Sequence, residues 1–168
     1  MRGLRYLAVA MVLSALALVS SAGRTDAQTA KDLVGTWLLV SITQGQGGTK
    51  VEPFGPNPNG MLALESNGRV SLIIIRSGLP PFASKNRMKG TPEENQAVMN
   101  GTLAYYGTYT FIAADKTLVL HIAASTFPNW TGADQDRAIT LAGDTLSWVD
   151  AHPSAGGVSA VVVWKRAR

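Results

Sequence analysis

The sequence predicts an all-β fold, an eight-stranded antiparallel up-and-down barrel with one short helix. Three observations carry this expectation. Short apolar runs rich in Val, Ile, Thr, Tyr and Trp recur along the chain, most are separated by a few turn-forming residues, and no internal repeat interrupts them. Eight such strands in sequential order can close on themselves, which removes free edges and leaves an interior for one small ligand. A two-sheet sandwich has the same strand count and stays open at this point.

The first residues, MRGLRYLAVAMVLSALALVSSAGRTDAQTA, place Arg2 and Arg5 ahead of an apolar run from Tyr6 to Val19 and then small residues. That order is expected of a secretory signal peptide, and the run is shorter than the roughly 20 residues of a membrane span. The small-x-small rule allows cleavage after Ala22 or, preferably, after Ala27. The expected product is one domain of residues 28–168, in the periplasm or outside the cell, with no membrane span.

Removing Arg2, Arg5, Arg24 and Asp26 leaves 12 basic against 10 acidic residues. Such a small excess, without clustering, argues against a nucleic-acid partner. The absence of cysteine excludes a disulfide framework and a lipidated cysteine, so the domain must rest on its own core. The two histidines, His121 and His152, lack the spacing of metal ligands, and no motif implies a cofactor.

The first strand is expected over residues 35–43, GTWLLVSIT, followed by a long Gly- and Pro-rich loop through PFGPNPNG. MLALES and RVSLIIIR flank Asn67-Gly68, which predicts a hairpin with a two-residue type I′ turn. After the loop SGLPPFASKNRMKG, the run TPEENQAVMNG offers Thr91 as a cap, Pro92 at the first helical position and Glu94 to complete a capping box. It predicts a helix from Pro92 to about Asn100. AYYGTYTFI pairs with TLVLHIAAS across residues 113–116, QDRAITL pairs with TLSWVD across Gly143-Asp144, and VSAVVVWKR closes the chain.

These pieces resemble the bacterial and fungal lipocalin-like domain family. The resemblance rests on LVGTW (33–37), PFGPNPNG (53–60), PPFAS (80–84), GTPEE (90–94), AYYGTY (104–109), FPNWTGADQDR (127–137) and VVWKR (162–166), which together span almost the whole mature chain. Gly35-x-Trp37 is also similar to the opening of the first strand of true lipocalins. There the indole closes the base of the barrel and a basic residue from the last strand covers it, a place that Lys165 and Arg166 occupy here. The resemblance implies a small barrel with Gly35, Trp37 and Arg166 in structural roles, and it implies no established reaction.

Period-two alternation sorts the polar residues by face. Arg137 shares a face with Ile139 and Leu141, where a charge is costly unless paired. Its expected partner is either a ligand's acidic or carbonyl group or a carboxylate from Asp134, Asp136 or Glu65. Tyr105 and Tyr109 share one face of their strand, and His121 shares a face with Val119 and Ala123. In STFPNWTGADQDR, residues 125–137, the aromatic pair Phe127 and Trp130 is expected to cover one barrel end, with PPFAS after Arg76 as a second cover.

Arg76, Tyr105, Tyr109, His121, Trp130 and Arg137 are therefore the candidate ligand-binding residues, for a small lipophilic molecule inside the barrel. Two alternatives stand beside this reading. One is a barrel enzyme of isomerase, cyclase or dehydratase type, with His121 as acid or base and a tyrosine as proton donor. The other is a filled barrel that uses its loops to bind a protein.

Overall fold

The computed structural model describes residues 29–46 and 48–168; the expected signal segment, residues 1–27, lies outside the described residues. Nine strands run in the order β1 (Gly35–Gln46), β2 (Thr49–Val51), β3 (Asn59–Leu64), β4 (Arg69–Ile75), β5 (Thr102–Ile112), β6 (Thr117–Ser125), β7 (Asp134–Ala142), β8 (Thr145–Asp150) and β9 (Ser159–Arg166). From β3 onward each strand pairs antiparallel with the next, and β1 pairs with both β3 and β9. That last pairing closes eight strands into a barrel and excludes the sandwich. The described residues add two α-helices, α1 (Ala30–Leu33) and α2 (Pro92–Gly101).

The ninth strand, β2, lies in the stretch expected to be loop. β1 continues past residue 43 to Gln46, where β3 no longer covers it, and β2 hydrogen-bonds to that free end at Gln44–Gln46. The hairpin between β3 and β4 also differs from expectation. Gly68 N–H donates to Glu65 O at 3.0 Å and Glu65 N–H to Arg69 O at 2.9 Å, so the loop has three residues rather than two. Gly68 has φ +81° while Asn67 is absent from the residues with positive φ, as in a type I turn followed by a left-handed residue rather than type I′.

The predicted helix forms as α2. Glu94 N–H donates to Thr91 Oγ1 and the Glu94 carboxylate accepts from Thr91 N–H, completing the capping box. A second Glu94 oxygen accepts from Ala83 N–H at 2.8 Å, which ties PPFAS to this helix. Phe82 lines a surface groove with Met88, Val98 and Met99 and is not among the residues around the barrel cavity.

Alternation fills the interior with Leu62, Leu64, Val70, Leu72, Ile74, Leu118, Leu120, Ile139, Leu146 and Val162. A bulge between Leu39 and Ser41 changes the parity of β1. Trp37 is buried before it, and Ile42 and Gln44 are buried after it. Strand polarity gathers the hairpins β3–β4, β5–β6 and β7–β8, the start of β1 and the end of β9 at one end, the base. The long connections 52–58, 76–101, 126–133 and 151–158 gather at the other end, the mouth.

At the base, the Arg166 guanidinium lies 4.1 Å from the centroid of the Trp37 ring. Its nitrogens donate to Val34 O at 2.8 Å and Asp32 O at 2.6 Å, and Trp37 Nε1 donates to Leu33 O at 2.9 Å. Gly35 fits beneath this cation, because a Cβ there would come within 2.8 Å of Arg166 Nη1. Tyr109 also belongs to the base, where its hydroxyl donates to Glu65 O at 2.9 Å.

Candidate functional site

The mouth half of the barrel holds an apolar cavity of about 40 Å³. That is room for a few waters and well below the 300 Å³ or more of a pocket for a drug-sized ligand. Phe54, Tyr105, Trp130 and Trp148 supply aromatic walls, and Gln44, Arg137 and Asp150 supply the polar ones. A groove of about 330 Å³ adjoins it at the mouth and shares Phe54, Leu103, Ser154 and Ala155 with it. Phe54 and Leu103 therefore stand between the cavity and the groove.

Trp130 reaches the cavity because the segment after β6 is folded tightly. Pro128–Trp130 forms one 3-10 turn, and Gly132 N–H donates to Ile122 O at 2.8 Å and Ile122 N–H to Ala133 O at 3.0 Å, so the loop continues the β6–β7 ladder. Trp130 packs edge-on against Tyr105 with ring centroids 6.0 Å apart and against Phe127 at 5.7 Å. It is at once the cover of the barrel end and a wall of the cavity.

Arg137 points inward with Ile139, as alternation predicts, and is only 3% exposed. Its ion-pair partner is not Asp134, Asp136 or Glu65 but Asp150, with Nη2 3.2 Å from Oδ2. The reason is register: β7 pairs with β8 so that Arg137 stands directly opposite Asp150. Asp134 and Asp136 alternate onto the outer face, and Glu65 lies in the base hairpin. Nη1 donates to Asp136 O at 2.8 Å, and the guanidinium carbon lies 5.7 Å from the Trp130 ring centroid.

Three buried side-chain atoms lack a hydrogen-bond partner among the described residues: Gln44 Oε1, Arg137 Nε and Trp164 Nε1. The first two belong to residues that line the cavity. Gln44 Nε2 donates to Gly156 O, and since a carbonyl only accepts, this contact fixes which end of the amide faces away from the loop. Burial raises the Tyr105 phenol well above its ordinary value and keeps it neutral.

Of the predicted ligand-binding residues, Tyr105, Trp130 and Arg137 come together around one cavity. The other three lie elsewhere. His121 faces outward, opposite to Leu120 and Ile122, with its side chain 40% exposed. Its Nδ1 is 2.7 Å from Asp134 Oδ1 and its Nε2 3.3 Å from Thr110 Oγ1. Arg76 is exposed at the end of β4 and donates to Pro53 O at 2.7 Å, holding the turn that carries Phe54. Tyr109 closes the base hairpin.

The acid–base pairing of His121 with Tyr105 or Tyr109 is therefore not assembled, since both tyrosines lie on the face of the sheet opposite to His121. Sequence reasoning missed Phe54, Gln44, Trp148 and Asp150. Alternation in TLSWVD was the available signal for Trp148 and Asp150. Among the described residues no cluster of His, Cys, Asp and Glu can hold a metal ion, and no helix is long and apolar enough to cross a membrane.

The closed eight-stranded barrel carries the Gly35-x-Trp37 and Arg166 arrangement at its base. Residues 34–167 match the model of the lipocalin-like domain family. The chain belongs to that family. A curated relative, the 4'-hydroxy-3'-methoxypropiophenone carrier protein ppsC of Aspergillus oryzae, is 32% identical over 90 residues, which are half of this chain and 81% of the relative. This lipocalin-like domain thus combines a ligand-binding fold with a cavity whose one buried cation is already neutralised.

Proposed function

We propose that this protein binds and carries a small, neutral, lipophilic aromatic molecule in the mouth half of its barrel. The observation that carries the reading is the cavity itself, with four aromatic walls around a paired Arg137 and Asp150. An anionic ligand would have to compete with the Asp150 carboxylate for the guanidinium, so a carbonyl or hydroxyl compound fits better than an acid. The relative named as a carrier of an aryl ketone supports the same class. The ligand makes room by displacing Phe54 toward the groove, which the shared lining of the two spaces favours.

Trp130 and Trp148 line the cavity, so titration with 4'-hydroxy-3'-methoxypropiophenone should produce a saturable change in tryptophan fluorescence and a rise in Tm. Mass spectrometry of organic extracts of the purified protein should identify a bound aromatic compound. Absence of both would favour the second reading, a filled barrel acting through its loops, for which the small volume of the cavity speaks.

We also propose export, on the order of basic, apolar and small residues in the first thirty positions. The secreted or periplasmic product should begin at Gln28. A product that retains Met1 in the cytoplasm would overturn this.

A further inference from the structure

We propose that Gln44 and Arg137 select the ligand by hydrogen bonding, so that the preferred molecule carries both a hydroxyl and a carbonyl group. The inference rests on the carrier reading above and names the chemistry of its ligand. Gln44 Oε1 is an acceptor without a donor, and Arg137 Nε is a donor without an acceptor. Both side chains are 3% exposed and both line the cavity.

The remaining atoms of the two residues are committed elsewhere. Gln44 Nε2 is held by Gly156 O, and the Arg137 terminal nitrogens by Asp150, Asp136 O and, at 3.5 Å, Gln135 Oε1. What is left is one neutral acceptor and one donor whose charge is already balanced. A buried polar atom without a partner carries a desolvation cost that a ligand group of complementary sense removes.

A ligand hydroxyl therefore donates to Gln44 Oε1, and a ligand carbonyl oxygen accepts from Arg137 Nε–H. The aromatic walls take the ring between them. Sites built to hydrogen-bond a substrate group reject analogues that lack it more strongly than apolar pockets reject a missing methylene.

The test uses four probes on the purified protein, followed by tryptophan fluorescence and calorimetry: 4'-hydroxypropiophenone, 4'-methoxypropiophenone, 4-propylphenol and 4-hydroxybenzoate. The hydroxy ketone should bind tightest. Loss of the hydroxyl hydrogen or of the carbonyl should each weaken binding roughly tenfold, the value of one unsatisfied buried group. The carboxylate should bind weakest.

In Gln44→Met the ratio between the hydroxy and methoxy ketones should fall to about one while the preference for the carbonyl persists. In Arg137→Lys, which keeps a cation beside Asp150 and removes Nε, the preference for the carbonyl should vanish instead. Ratios within one variant cancel any loosening of the 151–158 loop. Equal affinity for the three neutral probes on the native protein overturns the selection by Gln44 and Arg137 and leaves the carrier reading standing. Binding of none of the four overturns both.

Discussion

Arg137 and Asp150 face each other across β7 and β8 with 3.2 Å between Nη2 and Oδ2, and both are buried beside the cavity. Two charges removed from water offset their desolvation only through each other, so the cost of breaking the pair exceeds the gain from making it. Arg137→Leu or Asp150→Leu alone should lower stability by about 3–5 kcal/mol, because the surviving charge is stranded. The double variant should recover most of that loss. Urea denaturation of the three variants checks it, and equal losses in the double and single variants would contradict the pairing.

A second prediction concerns Gly107, on the inward face of β5 beside a bulge where β6 slips by one residue. A Cβ at this position would collide with His121 O and lie 2.9 Å from Ala123 N, both backbone atoms that cannot swing away. Gly107→Ala should therefore part β5 from β6 and leave little folded protein. Circular dichroism and thermal melts measure this, and a native-like melt would mean that the bulge between β5 and β6 accommodates a side chain.

The barrel and half of its site were legible in the sequence for definite reasons. Alternation grouped Arg137 with Ile139 and Leu141, and Tyr105 with Tyr109, on faces that prove to be inward; the same rule applied to TLSWVD groups Trp148 and Asp150 with the buried Leu146. Gln44 was hidden, because strict alternation from Trp37 points it outward and only the bulge at Leu39/Ser41 turns it in. The Asp150 partner was hidden for another reason: it is set by the β7–β8 register across Gly143-Asp144, not by proximity in sequence. His121 shows the limit of grouping residues by shared face, since sharing a face with Val119 and Ala123 does not say which side is the interior.

Arg166 should matter more for stability than an exposed arginine does, since it covers the Trp37 indole and donates to two backbone carbonyls. Arg166→Met keeps the stem and removes the cation, which should cost about 0.5–2 kcal/mol from the ring contact alone. Chemical denaturation checks the loss, and native stability in the variant would contradict it.

Tyr105 gives a pH prediction. Burial raises its pKa above the ordinary value of 10.0, so the folded state resists ionisation that the unfolded chain accepts. A group with a raised folded pKa contributes stability that is complete below the unfolded value and is lost as pH rises through the folded one. Stability should therefore decline above about pH 10. Tyr105→Phe should flatten that decline, and an unchanged alkaline profile in this variant would assign the loss to other groups.

The final prediction concerns how a ligand reaches the cavity. Phe54 is buried between the cavity and the outer groove, yet it sits on a short turn in which Gly55 N–H donates to Glu52 O at 2.9 Å. Two bonds hold that turn from the end of β4, Arg76 Nη2 to Pro53 O at 2.7 Å and Ser77 Oγ to Pro56 O at 2.9 Å. Neither Arg76 nor Ser77 lines the cavity, so loosening them alters how readily Phe54 moves without changing what a bound ligand touches. Arg76→Met should cost no more than about 0.5–1.5 kcal/mol, the worth of one hydrogen bond. If Phe54 must move aside for the ligand, association should accelerate severalfold in Arg76→Met, dissociation less so, and Kd should fall, because the complex with Phe54 displaced no longer has to strain the Arg76–Pro53 bond. Phe54→Ala should accelerate both further and enlarge the cavity, admitting bulkier ketones. Stopped-flow tryptophan fluorescence measures the rates. Native rates in Arg76→Met would show Phe54 to be a fixed wall, and the route to the cavity would then have to pass the 151–158 loop that Gln44 holds through Gly156.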